Sequence, residues 1–233
     1  MMELFLGGAH RVVSGDTGPG SQALLFGTRD KGYYGTLTQS EFIDNTTLAS
    51  LIGLTEGVAY NSDVPWLKFA SNNKTLFIPQ KAIRRTLAWS SIYNCGAVYG
   101  DDTNGYTNPG TPVLQNRKVT IGGKVYRVRL ITGSSALPAN STSSGGEWNK
   151  LFYPLVNGEW TTMTTASATA YFGVSSTSDL GSCTLCQETM GFAAVPTDTQ
   201  VIRRGFTDYT TYGSSIMSTT GNRGWRPVLE LVN

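Results

Sequence analysis

From Trp66 the apolar and polar residues fall into two short runs, Trp66-Leu67-Lys68-Phe69-Ala70 and Thr75-Leu76-Phe77-Ile78-Pro79, around the polar turn Ser71-Asn72-Asn73-Lys74. The pattern predicts a hairpin, because asparagine tolerates the left-handed backbone of a tight turn, and Pro79 ends its second strand. A second hairpin is predicted where Val119-Thr120-Ile121 and Lys124 to Ile131 flank Gly122-Gly123. In its second strand Val125, Arg127 and Arg129 alternate with Tyr126, Val128 and Leu130, the period of a half-buried strand.

Helical spacing occurs in three places. Thr38-Gln39-Ser40-Glu41 has the form of a capping box, followed by Phe42, Ile43, Leu48, Leu51 and Ile52 at loose helical spacing, with Gly53 as the stop. Trp89, Ile92 and Tyr93 share one face of a helix starting near Leu87 and ending at Gly96. Trp148, Leu151 and Phe152 form the stripe of a short helix that Pro154 should end.

The chain closes on Val201 to Phe206 and Gly224 to Val232, two apolar runs carrying arginine and glycine, read as strands joined by a long excursion. A terminal strand is tied down, which predicts a place well inside the sheet. The glycine-rich residues 1–35 show little periodicity beyond Ala23-Leu24-Leu25-Phe26 and read as an arm. Residues 101–116, 133–146, 157–200 and 207–223 read as loops, with Trp160, Tyr171 and Phe172 as apolar anchors; no repeat or heptad is visible.

Composition narrows the classes. The chain has 233 residues, enough for a sizeable core, and its 15% charged residues and 27 glycines suit an ordered, loop-rich protein. The formal charge of +2 contains no basic block longer than Arg84-Arg85 or Arg203-Arg204, which argues against a nucleic-acid partner. No apolar run approaches the roughly 20 residues of a membrane span, so no membrane insertion is expected. Met1 to Gly8 lacks the basic region of a signal peptide, so synthesis in a cytoplasm is expected.

The candidate chemistry is sparse. Cys183-Thr184-Leu185-Cys186 has three readings: half a zinc site, a local disulfide, or reduced thiols. Only Cys95 and His10 are left to complete a zinc site, and three cysteines do not make a disulfide framework. Reduced thiols are therefore the default, and no metal or other cofactor is expected. Asp101-Asp102-Thr103-Asn104-Gly105 offers oxygen ligands for calcium but lacks the glutamate of an EF-hand loop, so it reads as an Asp/Asn turn. With one histidine no Ser-His-Asp group can be assembled. Glu147, Glu159, Asp179, Glu188 and Asp198 could supply paired carboxylates for glycoside cleavage, or be unrelated loop residues. Arg203, Arg204 and Arg226 are expected to pair with Glu230, Glu188 or backbone carbonyls. Trp148 and Trp225 are assigned to the core. The candidate ligand-binding residues are Tyr209, Tyr212, Asp208 and Trp160, aromatic anchors among adaptable hydroxyls and a carboxylate.

The succession of hairpin, helix, hairpin, Glu147-Trp148-Asn149 helix, loops, Val201-Ile202-Arg203-Arg204-Gly205-Phe206 and final Gly224-Trp225-Arg226-Pro227-Val228 strand resembles the C-type-lectin-like fold. The version meant is that of formylglycine-generating enzymes and of retroelement variable proteins. Gly32-Tyr33-Tyr34-Gly35, residues 57–70, 74–100, 145–153, Gln187-Glu188-Thr189 and 224–232 are more closely similar to a family of tailed-bacteriophage virion proteins of the tail, tail-fibre or collar kind. The resemblance implies an α+β, C-type-lectin-like domain at 58–233, with small antiparallel sheets, two short helices and long loops. It also implies an arm at 1–57 that docks on other virion proteins. The expected function is a non-enzymatic, homo-oligomeric virion component, made in the host bacterial cytoplasm, whose loops attach to a host-surface glycan or membrane protein. The alternatives are a purely architectural collar, tail or capsid-decoration subunit and, third, a formylglycine-type oxidase or hydrolase. An oxidase needs a copper-binding cysteine pair, and Cys183 and Cys186 do not map onto that family's positions.

Overall fold

The computed structural model describes residues 15–105, 111–135, 146–160, 165–173, 183–189, 200–205, 211–218 and 220–232, and the structural statements below concern these. In chain order the elements are β1 (Phe26–Gly27), β2 (Lys31–Leu37), α1 (Asn45–Ile52), β3 (Val58–Ala59), β4 (Trp66–Ser71), β5 (Lys74–Pro79), β6 (Arg84–Leu87) and α2 (Trp89–Asn94). They continue with β7 (Lys118–Ile121), β8 (Lys124–Leu130), a π-helical turn (Trp148–Phe152), α3 (Tyr153–Val156), α4 (Thr165–Tyr171) and β9 (Cys183–Thr189). The last are β10 (Gln200–Arg204), β11 (Tyr212–Ile216), β12 (Gly221–Trp225) and β13 (Pro227–Val232). The protein is thus α+β, with mostly antiparallel sheets and a few short helices.

Two sheets carry the fold. The larger has the order β1-β2-β4-β5-β13-β8-β7, the smaller β11-β10-β9-β12-β6-β3. The strand nearest the C-terminus lies inside the larger sheet, with Leu229 opposite Phe77 on one side and Val128 on the other. Both hairpins form as the pattern predicts. Asn72 and Asn73 take φ of 49° and 63°, the left-handed pair a two-residue turn requires.

The larger sheet is buried on both faces, so its central strands read as continuous apolar runs rather than alternating ones. Trp66, Phe77, Val128 and Leu229 face one core with Leu87, Trp89, Leu185 and Trp225. Leu67, Phe69, Ile78 and Val228 face a second core with Trp148, Phe152, Phe172, Cys186 and Ile202. A period-two pattern with both phases apolar is what this sandwich of cores demands.

Several expectations need correction. The division at residue 57 does not exist in the structure. β2 pairs with β4 from Lys31–Ser71 to Leu37–Trp66, and Phe42, Ile43, Leu48, Ile52 and Leu54 sit in the first core. Residues 31–54 therefore belong to the same packed unit as the core residues described beyond residue 58. The capping box closes, with Thr38 N donating to Glu41 Oε2 at 2.6 Å, yet it caps an isolated turn. The helix starts a turn later, where Asp44 Oδ1 accepts from Thr46 N and Thr47 N, each at 2.9 Å. Pro154 does not end its helix. Proline's ring collides with the carbonyl four residues back in α geometry, and the preceding π-helical turn widens the backbone there so that α3 continues through it. Residues 157–200 and 207–223 are not irregular throughout, since α4, β9, β11 and β12 lie in them. The run 224–232 is two strands in two sheets, with Arg226 at the crossing and Pro227, which has no amide hydrogen to contribute, at the start of β13.

Candidate functional site

The side chains that hold the ends of the intervening segments converge where β8, β9 and β10 meet. After β8, Ile131 bridges Cys186 of β9 in parallel. Thr132 and Glu147 then join the two ends of residues 133–146: Glu147 N donates to Thr132 Oγ1 at 2.7 Å, and Trp148 N to Thr132 O at 3.0 Å. Gly133 and Gly146 are glycines for want of room. A Cβ on Gly133 would lie 2.7 Å from Cys186 Sγ, and one on Gly146, at φ +32°, 2.5 Å from Thr132 Oγ1.

A buried ion network ties this root to β13. Arg129 makes a bidentate pair with Glu147, at 2.7 and 2.6 Å, and its Nε donates to Glu230 Oε2 at 3.2 Å. Lys74 of β5 reaches the other oxygen of Glu230 at 2.7 Å. Burial alone would push the Glu147 carboxyl up; the Arg129 charge and hydrogen bonds outweigh it and hold the group below the usual range. Arg129, in the alternating strand β8, is packed against Gly100, Glu147 and Glu230 and is left 7% exposed.

Glu188 of β9 is the second clamp. Its carboxyl accepts Gly133 N at 2.8 and 3.1 Å and is also bonded by the backbone of Ser134. Burial dominates over those bonds and raises it to about 7, helped by the nearby charge of Glu147. Arg204 of β10 completes the root, donating to Gly133 O at 3.1 Å and Asn149 Oδ1 at 2.7 Å. Arg226 donates to Phe172 O, after α4, at 2.6 Å. The expectation of backbone carbonyl partners is met for Arg204 and Arg226, while Glu230 goes to Arg129 and Lys74.

Two carboxyls with opposite shifts are what glycoside cleavage uses. Here the oxygens are occupied: Glu147 by Arg129 and Thr132 N, Glu188 by Gly133 N. The pair therefore positions backbone. Glu159 is elsewhere, on Lys31 at 2.8 Å, and Asp179 and Asp198 lie outside the described residues. Cys183 and Cys186 stand in strand β9, not in a loop; both are buried and reduced, and burial pushes the Cys186 thiol well up. Among the described residues no group of three His, Cys, Asp or Glu is placed to hold a metal. Asp101 Oδ1 accepts from Thr103 N and Oγ1, and Asp102 from Asn116, the hydrogen bonding of a turn.

Of the four candidate ligand residues, Trp160 and Tyr212 are among the described ones. Trp160 is a core residue, 4% exposed, stacked on Tyr33 with centroids 6.1 Å apart, so it has no free face for a sugar. Tyr212 is half-buried on β11, the edge of the smaller sheet, opposite Arg204. Asp208 and Tyr209 lie outside the described residues. A shallow groove of about 670 Å³ over α1, floored by Phe42 and Ile43 and rimmed by Leu51 and Ile121, contains none of them. No described helix is long and apolar enough to cross a membrane. Comparison with protein-family models, curated proteins and solved structures finds no match to this chain.

Proposed function

We propose that this chain is a non-enzymatic virion component of a tailed phage, with a C-type-lectin-like scaffold that presents its intervening segments to a glycan or outer-membrane component of the host surface. One observation carries the reading: both ends of residues 133–146 are fastened by buried charged side chains, and that fastening runs through Arg129 and Glu230 to the strand nearest the C-terminus. Such an arrangement lets the residues between change without disturbing the cores, which is how a recognition surface is built on a fixed frame. The resemblance of residues 57–70, 74–100 and 224–232 to tail, collar and fibre proteins suggests the setting.

The test is binding of labelled protein to bacterial cells and to a glycan array. Tyr209→Ala and Tyr212→Ala should each weaken binding roughly tenfold or more, as loss of an aromatic anchor does, with the thermal midpoint little changed. Full binding by both variants would refute the assignment of the contact residues. Absence of binding to any cell or glycan would turn the reading to an architectural collar, tail or capsid-decoration subunit.

A further inference from the structure

The groove over α1 is open to solvent, with Phe42 and Ile43 as its floor, Leu51 and Ile121 at its rims, and Ser62 and Thr120 also lining it. Leu51 is 47% exposed, whereas Leu48, Ala49 and Ile52 of the same helix are buried, so the groove leaves apolar surface in water. Its carboxylate, that of Asp44, is taken up by the cap of α1, accepting from Thr46 N, Thr47 N and Thr47 Oγ1. What the groove offers is therefore apolar contact. Its volume of about 670 Å³ falls in the range of recesses that hold ligands, ~300–1,000 Å³.

The first described residues lie beside this groove. Asp16 pairs with Lys124, which stands opposite Ile121 in the β7–β8 hairpin. Gly18 is pressed against two rings of the first core: a Cβ there would stand 3.1 Å from Phe77 Cζ and 3.2 Å from the Tyr126 hydroxyl. Those rings in turn flank Phe42 of the groove floor, with centroids 4.6 and 5.2 Å from it. Residues 7–14 can span up to about 28 Å when extended, far more than the strand spacing of ~4.8 Å between Lys124 and Ile121. Ahead of them stands Met1-Met2-Glu3-Leu4-Phe5-Leu6, apolar at every position but Glu3 and followed by Gly7-Gly8, where glycine's backbone freedom lets a chain turn back.

We propose that the groove over α1 is the docking site of Met1–Leu6 of the same chain, with Leu4 and Phe5 as its apolar contacts against Phe42, Leu51 and Ile121. The tether favours this occupant over a separate peptide, because a short flexible link holds the segment at an effective concentration of about millimolar. Modest apolar burial is then enough to close the groove. The inference does not rest on the host-attachment reading.

Cysteine labelling of the full chain tests it, because Cys95, Cys183 and Cys186 are buried and Leu51→Cys puts an exposed thiol on the groove rim. That thiol should react roughly tenfold more slowly with a charged thiol reagent than it does once Leu4→Ser and Phe5→Ser are added. The ratio should not change with protein concentration. A second readout leaves the rim intact: the amide NMR signals of Leu51, Ser62, Thr120 and Ile121 should shift between wild type and the Leu4→Ser/Phe5→Ser variant, while those of β9 and β10 stay in place. A synthetic peptide of residues 1–8, added to that variant, should move the groove signals back toward their wild-type positions. Protection that is lost on dilution would overturn closure within one chain and give the groove to a second copy. Equal labelling rates together with unmoved groove signals would overturn the docking itself.

Discussion

Replacing Glu188 by glutamine should flatten the pH dependence of stability between about pH 4.5 and 7. The folded carboxyl titrates near 7 against an ordinary value of 4.5. In that window the folded chain binds more protons at this site than the unfolded chain, so stability falls as pH rises through it and levels off above 7. At about 1.4 kcal/mol per unit, the span corresponds to roughly 3 kcal/mol. Glu41, Asp44, Glu56 and Glu147 are all shifted down, so their contributions are lost only as pH falls below the ordinary carboxyl range. The two effects therefore separate on the pH axis. Glutamine keeps an oxygen for Gly133 N and removes the desolvated charge. Urea unfolding at steps from pH 5 to 8 should give a wild-type midpoint that drops by roughly 1 M or more, taking a slope of 1–3 kcal/mol per molar, while E188Q stays nearly level. Parallel curves for the two proteins would refute the reasoning.

The remaining predictions concern the other buried groups. Arg129→Met should destabilise by about 3–5 kcal/mol in urea unfolding, since it strands Glu147 without its cation while Glu230 keeps Lys74, and Glu147→Gln should recover part of the loss in the double variant. Lys68 donates to Thr17 Oγ1, Gly18 O, Pro19 O and Ser21 O at 2.7–3.3 Å, so Lys68→Met should remove hydrogen-exchange protection from residues 17–22 while β4 and β5 keep theirs. Cys95, Cys183 and Cys186 should be silent to a thiol reagent in the native protein and all react in denaturant; a missing pair in denaturant would reveal a disulfide.

Much of the frame was legible in the residues. Asn72-Asn73 and Gly122-Gly123 announced both hairpins because only left-handed backbone closes those turns, and Gly53 marked the end of α1 at φ 77°. The strand at 227–232 was legible from Val228, Leu229, Leu231 and Val232, an apolar run interrupted by Glu230 alone. What escaped depends on contacts between distant segments. The strand Cys183–Thr189 has polar residues on both phases, and its burial comes from cores on either side of β9. Cysteine there acts as a small apolar residue, whereas the sequence draws attention to its chemistry. The arm assigned to residues 1–57 failed for a related reason, as glycine-rich β2 gains its stability from pairing with β4 rather than from its own composition. Of the site, Arg204 and Arg226 were visible as arginines needing partners. The clamp itself, made by Thr132, Glu147 and Glu188, had no local signal, because only the fold brings those three positions together.

The most direct test of a single frame woven from both parts of the chain is native-state hydrogen exchange on the full protein. The amides of 33–37, 48–52 and 228–231 should exchange together, with one opening free energy equal to that of global unfolding. Release of 33–52 at a lower free energy than 228–231 would contradict the account, since the earlier residues would then be an appendage and not part of the core.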